Sequence, residues 1–222
     1  MSRLLAALLL FVSTAGAAMT IDPVLRCDGA VVVLDTSVRE LKGDPQPVVN
    51  DFVTRLRQFV GRICGPQTEV RELLRPGARL GELEPDILRM LDREAPAVAI
   101  VHGPYADIEA GAAPAGLLDV YRRILGACDQ GRTTCVIAGQ QPVNALPAQA
   151  AARQLDLERE AERALSGRYL PLHRHFRSEL ASRQLMTRLD HGDGRVLSER
   201  GHLLLFTLLQ KRLIALSMAA RP

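Results

Sequence analysis

The chain has no tryptophan, and aromatic residues fill only 4% of its 222 positions. Proteins that bind single-stranded nucleic acid stack the bases on aromatic side chains, so this class is disfavoured. Basic and acidic residues nearly balance, 28 against 25, and the formal net charge is only +3. That charge is too small to predict nucleic acid or another polyanion as a partner. An apolar content of 47% and a charged content of 24% suit one globular domain.

Long apolar runs are also absent, apart from a short one near the N-terminus. Residues 4–12 form an unbroken apolar run after a basic start, but a membrane span needs about 20 residues. Small residues follow at 13–18 and include an A-x-A pattern, which is typical of a signal-peptide cleavage site. We therefore predict a signal peptide over residues 1–18 and one exported domain over 19–222, periplasmic or secreted, without a membrane span. An uncleaved N-terminal anchor is the alternative.

The sequence contains no C-x-x-C pair, so neither a thioredoxin-like redox centre nor a zinc ribbon has support. An even number of cysteines in an exported chain favours disulfide bonds, with buried free thiols as the alternative. The four cysteines, which allow three pairings, are Cys27, Cys64, Cys128 and Cys135. His173 and His175 are two positions apart and would not share a helical face, so we reject a metal site there. We predict no metal and no cofactor.

Short β-branched runs alternate with longer amphipathic segments along the chain. The short runs predict strands near 30–34, 68–73, 97–101 and 134–138, and a short fifth strand near 168–172. Apolar residues at helical spacing predict helices over 45–63, 83–94, 117–128, 148–166 and 199–219. This alternation predicts a three-layer α/β/α sandwich around a four- to five-stranded parallel sheet. Sites in such sheets lie beyond the carboxyl ends of the strands.

The segments at those strand ends resemble, in order and spacing, the blocks of the SGNH (GDSL-type) hydrolase superfamily. Residues 31–37 (VVVLDTS) are similar to the first block, a strand ending in Gly-Asp-Ser, and residues 72–80 (ELLRPGARL) to the second, which supplies a glycine. Residues 96–108 (PAVAIVHGPYADI) resemble the third block, usually Gly-x-Asn-Asp, and residues 193–202 (DGRVLSERGH) the fifth, usually Asp-x-x-His. The resemblance spans residues 27–217. It implies a flavodoxin-like α/β fold and a serine that attacks an ester carbonyl.

The resemblance carries over only part of the family's catalytic set. Ser37 stands at the nucleophile position, Gly77 at the oxyanion glycine and Asp193 at the aspartate. Val196 stands where the family has its histidine, and the asparagine of the third block is missing. A serine hydroxyl is a weak nucleophile without a base. The loss of one oxyanion donor costs about 100–1000-fold in rate.

One hypothesis is therefore a serine ester hydrolase with a relocated base, such as a GDSL-type esterase, a lipase or an acyl-sugar deacetylase. His191 is the first candidate base for Ser37, and His102 is the second. Asp193 or Asp35 would orient the imidazole.

The oxyanion hole in that enzyme would consist of the Ser37 and Gly77 amides, with the Tyr105 hydroxyl in place of the missing asparagine. The other hypothesis is a non-catalytic relative that keeps the fold and the cleft. Val196 favours it, because a valine cannot transfer a proton. In both cases the expected ligand is a small-molecule ester, an acylated glycan or a lipid-like molecule.

Two further expectations concern bonds and charges. Cys128 and Cys135 are seven residues apart around Gly131, a short loop that can close, so we predict that they form a disulfide. Cys27 would then pair with Cys64, since both precede strands that are neighbours in the implied fold. The charged run at 158–163 is predicted to be a solvated helix face, and His202 a structural residue at a helix start.

Overall fold

The computed structural model describes residues 27–37, 51–142, 146–165, 167–183, 189 and 196–219. Its strands are β1 (Val31–Asp35), β2 (Val70–Leu74), β3 (Val98–His102), β4 (Thr134–Ala138) and β5 (Tyr169–Leu170). They form one sheet in the order β2-β1-β3-β4-β5, and every pairing is parallel. The predicted α/β sandwich with a parallel sheet is thus confirmed.

Helices cover both faces of this sheet. They are α1 (Phe52–Cys64), α2 (Leu80–Glu94), α3 (Tyr105–Glu109), α4 (Pro114–Gln130), α5 (Ala148–Ala164), α6 (Leu172–Arg183) and α7 (Glu199–Ala219). Side chains alternate across a strand, so Val31 and Val33 pack with α1, α6 and α7, whereas Leu34 packs with α2, α4 and α5. Each face therefore has its own apolar core.

Two short helices differ from the sequence prediction. Helix α3 follows Pro104 directly, where no helix was predicted, and α6 begins at Leu172, which the sequence prediction included in the fifth strand. Among the described side chains of α6, only Leu172 and Phe176 belong to the core cluster on that face. The first turn of α6 is completed by a carboxylate from α5, Glu158. Local sequence patterns do not reveal such a distant cap.

Two disulfide bonds tie the helices to the sheet. Cys27, just before β1, is bonded to Cys64 at the end of α1, with the Cα atoms 5.1 Å apart. Cys128 in α4 is bonded to Cys135 in β4, with the Cα atoms 6.2 Å apart. Both pairs are the ones expected from the sequence. Within the described ranges, no helix has the length and apolar content that a membrane span requires.

Candidate functional site

The first and second sequence blocks meet at the carboxyl edge of the sheet. Pro76 and Gly77 form a turn after β2, closed by a hydrogen bond from the Ala78 amide to the Arg75 carbonyl. Gly77 has a φ of 70°, which glycine adopts readily and which a type II turn needs at this position. The Gly77 amide donates to the Thr36 carbonyl at 3.1 Å. The structure therefore places Gly77 beside the residue that precedes Ser37.

A buried carboxylate–imidazole pair contacts the Ser37 backbone. Asp35 and His102 are register partners at the ends of β1 and β3, so their side chains lie on the same face of the sheet. Both residues are fully buried, and Asp35 Oδ1 is 2.9 Å from His102 Nδ1. A carboxylate can only accept hydrogen bonds, so with Asp35 ionised the proton lies on Nδ1. This is the contact through which a carboxylate orients a catalytic histidine.

The other edge of the His102 imidazole does not reach Ser37. His102 Nε2 is buried and makes no hydrogen bond to any residue in the described ranges, and Ser37 Oγ likewise makes none there. The imidazole instead packs edge-on against Phe52, with ring centroids 5.6 Å apart. Phe52 in turn stacks on His202, a buried residue near the start of α7. His102 is therefore built into the core rather than bonded to the candidate nucleophile.

All three candidate oxyanion donors make hydrogen bonds within the protein. The Ser37 amide donates to Asp35 Oδ1 at 2.8 Å, and the Gly77 amide is held by the Thr36 carbonyl. The Tyr105 hydroxyl donates to Glu109 Oε1 at 2.9 Å, one turn along α3. An oxyanion hole needs donors aimed at the position where negative charge develops. Each of these donors is directed to an acceptor of the chain itself.

The fifth block is described only in part. His191 and Asp193, the first candidate base and its aspartate, lie outside the described residues. Val196 is buried, with 2% of its surface exposed, just before α7. Ser198 accepts a hydrogen bond from the Gly201 amide in the first turn of α7. A side chain at Gly201 would collide with the Leu189 carbonyl, which explains the glycine there.

Asp107 has a role at this edge that the sequence did not reveal. Its Oδ2 accepts a hydrogen bond of 2.7 Å from the Leu80 amide, the first residue of α2. Burial raises the pKa of the Asp107 carboxyl, although hydrogen bonds from the Leu80 and Gly81 amides oppose that rise. Asp107 thus connects the third block to the helix that follows the second block. Asp107 lies within the third block, but its cap on another helix depends on the tertiary fold.

A second tertiary support lies after β4. The side-chain amide of Gln154, in α5, donates to the carbonyls of Gln140 and Gln141 at 3.1 and 2.9 Å. It fixes the path of the chain as it leaves β4, next to the end of β3.

The parallel five-stranded sheet between two helical layers defines the molecule as a three-layer α/β sandwich. Neither a family model nor a curated protein sequence matches the chain. Solved structures of low sequence identity share its fold. An alpha/beta hydrolase enzyme from the metagenome of Lake Arreo, Spain, is 13% identical with a TM-score of 0.63, and the match covers 87% of this chain and 99% of that one.

Two further structures carry lipolytic names. A lipase/acylhydrolase from Enterococcus faecalis is 15% identical with a TM-score of 0.58, covering 84% of this chain and 96% of that one. A member of the lipolytic protein G-D-S-L family from Veillonella parvula is 10% identical with a TM-score of 0.57, covering 82% of this chain and 95% of that one. The resemblance noted in the sequence is thus matched at the level of the fold.

Proposed function

We propose that this chain is an exported SGNH-fold protein whose cleft no longer hydrolyses esters and instead binds a small ligand or glycan. The observation that carries this proposal is the hydrogen bond from the Ser37 amide to the buried Asp35 carboxylate. In the family pattern, a glycine stands at position 35 and the serine amide serves the oxyanion. Here a carboxylate takes that amide and would also repel a developing negative charge nearby.

The missing base supports the same conclusion. Val196 cannot accept the proton of a serine hydroxyl, and it is buried. His102 is held by Asp35 and packed against Phe52, and it makes no hydrogen bond to Ser37. Without a base, the hydroxyl is a weak nucleophile.

The second candidate function is a serine esterase with a relocated histidine. The Asp35–His102 pair favours it, because the carboxylate that orients this imidazole lies two residues before Ser37 in the chain. In that enzyme, the loop after β1 would have to carry Ser37 Oγ to within about 3 Å of His102 Nε2. His191 with Asp193 would be the other possible source of the base.

The names of the fold relatives guide the choice of ligand. Beside the lipolytic proteins, the structures of similar fold include an acetyl xylan esterase at 12% identity and a TM-score of 0.60. An ester, an acylated glycan or a lipid-like molecule is therefore the class of ligand to test first. The signal-peptide pattern and the two disulfides support export to the periplasm or beyond.

Ester hydrolysis by the oxidised protein tests the proposal. Hydrolysis of p-nitrophenyl acetate and release of acetate from acetylated xylo-oligosaccharides are compared for the wild type and Ser37→Ala. We expect both proteins to match the buffer rate, while calorimetry with the oligosaccharide detects binding. Turnover that disappears in Ser37→Ala would favour the esterase instead, and its further loss in His102→Gln would identify the base. A wild type that neither binds nor hydrolyses these probes would contradict the ligand class.

A further inference from the structure

A cavity separates helices α5 and α6 and has a volume of about 510 Å³. Small-molecule sites commonly enclose about 300–1,000 Å³. The cavity is lined by Leu155, Glu158, Arg159 and Glu162 of α5 and by His173, Arg174 and Arg177 of α6. Helix α6 follows the edge strand β5, whereas Ser37 follows β1, with β3 and β4 between them. The cavity is therefore separate from the candidate functional site.

The prediction of a solvated helix face at 158–163 was wrong for Glu158. Only 5% of this residue is exposed, and its two carboxylate oxygens accept hydrogen bonds from the His173 and Arg174 amides at 3.0 and 2.9 Å. Burial raises the pKa of the Glu158 carboxyl, although these two hydrogen bonds lower it. The carboxylate completes the N-terminus of α6 and is not available to a ligand.

The second carboxylate of the cavity is also engaged. Glu162 pairs with the Arg174 guanidinium, with N–O distances of 2.6 and 2.9 Å. Among the described residues, Arg159 forms an ion pair only with the exposed Asp156, at 3.4 Å, and such surface pairs are weak. Arg177 makes no ion pair or side-chain hydrogen bond within the described part of the chain. Of the three arginines that line the cavity, Arg177 therefore lacks a carboxylate partner among the described residues.

His173 adds a polar group that lacks a partner. The residue is 8% exposed and lines the cavity, yet its imidazole makes no hydrogen bond to a described residue. Burial, and then the positive charge of Arg177, lowers the pKa of His173 to about 4. At neutral pH the ring is therefore uncharged and still offers one N–H donor.

We propose that this cavity binds a small anion whose carboxylate or phosphate oxygens pair with Arg177 and accept a hydrogen bond from His173. A guanidinium suits these planar or tetrahedral oxyanions because its N–H groups form a fixed fork. Arg159, across the cavity on α5, would bind a second oxygen group of a polyvalent anion. The site is independent of Ser37 and of ester chemistry.

Isothermal titration calorimetry of the oxidised full chain tests this site, with citrate and inorganic phosphate as probes at low ionic strength and neutral pH. We expect at least one probe to bind the wild type, and Arg177→Gln to weaken it about tenfold or more. Arg163→Gln is the matched control. Arg163 is an exposed arginine of α5 that lies outside the cavity lining. We expect this control, and Ser37→Ala, to change affinity less than twofold.

The results of this titration either support or overturn the proposed anion site. Binding of citrate alone or of phosphate alone supports the site and identifies the oxyanion that it prefers. Arg177 has no structural partner among the described residues, so the melting temperature of Arg177→Gln should equal that of the wild type. No heat from either probe at millimolar concentration would overturn the proposal. Equal weakening by Arg163→Gln and Arg177→Gln would overturn it too, because only net charge would then matter.

Discussion

Replacement of Asp35 by alanine tests the buried pair on which the proposed loss of catalysis depends. The Asp35 carboxylate is fully buried and accepts hydrogen bonds from His102 Nδ1 and from the Ser37 amide. In Asp35→Ala both donors remain, but their common acceptor is gone. The loss of a surface charge alone would barely change the free energy of unfolding. A large decrease in Asp35→Ala would therefore indicate the loss of the buried pair.

The expected loss of unfolding free energy comes from the two buried donors, the Ser37 amide and His102 Nδ1, which no longer have an acceptor. A buried donor without an acceptor costs about 1–3 kcal/mol, so two of them cost about 2–6 kcal/mol. Breaking a buried charged pair by removing one partner costs about 3–5 kcal/mol, which lies in the same range. Asp35→Asn keeps an acceptor oxygen and should lose less, about 1–2 kcal/mol, since only the charge assistance disappears.

Urea unfolding, followed by far-ultraviolet circular dichroism with the disulfides intact, measures these free energies. Asp119→Ala is the control, because Asp119 forms an exposed pair with Arg122 on α4, worth about 1 kcal/mol at most. A double-mutant cycle with His102→Leu should show a coupling of about 1–3 kcal/mol, because leucine leaves no stranded ring donor. A loss below about 1 kcal/mol in Asp35→Ala, or one no larger than in Asp119→Ala, would refute the reasoning.

Three further predictions concern catalysis, capping and pH. Val196→His restores the family's spacing from Asp193, but the oxyanion donors still donate to acceptors within the protein. Its hydrolysis of p-nitrophenyl acetate should therefore remain about 100–1000-fold slower than that of an intact site. Full activity would show that these donors can turn toward the oxyanion. Asp107→Ala removes the cap on Leu80 and should lower the free energy of unfolding by about 0.5–2 kcal/mol, and Asp107→Asn should recover most of it in the same urea titration. The pKa of His173 is lowered to about 4 in the folded chain. Below pH 6.5 its imidazole therefore becomes protonated in the unfolded chain, whereas in the folded chain it stays neutral down to about pH 4. Stability should therefore fall by up to about 3 kcal/mol as the pH drops through that interval. Thermal unfolding of wild type and His173→Gln between pH 7 and 4.5 checks this, and an equal fall in both would contradict it.

The sheet could be predicted closely because its strands have an unambiguous pattern. Strand β4 has the predicted bounds, and β1 and β3 are each displaced by one residue from them. Continuous β-branched runs mark a strand that is covered on both faces. The bounds of α7 also agree, since a long apolar segment has few other ways to be buried.

The elements that were missed depend on contacts from distant parts of the chain. Helix α6 has a mostly polar sequence, and its first turn is held by Glu158, fifteen residues before His173. The second strand was placed two residues too early at its N-terminal end, because its half-buried residues alternate only weakly. A local window of sequence therefore shows neither the cap on α6 nor the first residue of β2.

The candidate site was predictable in its parts but not in its bonding. The blocks correctly place Gly77 beside the chain that leads to Ser37, and Asp35 was one of two carboxylates expected to orient His102. The direction of an amide N–H depends on the backbone path after a strand, and residue spacing does not specify that path. The engagement of the Ser37 and Gly77 amides therefore emerges only from the fold.

The departures from the family pattern are consistent with one another physically. While the Ser37 amide donates to Asp35, a serine attack would lack one oxyanion donor, so a histidine at position 196 would give a smaller gain in rate. A valine there instead contributes to the buried surface beside α7. His102 in turn provides Asp35 with a hydrogen bond that a carboxylate buried in the sheet requires. If catalysis is lost as proposed, we expect reversal at Val196 alone to leave the protein inactive, because the Ser37 amide still donates to Asp35. Replacement of Asp35 as well would make that amide available to an oxyanion.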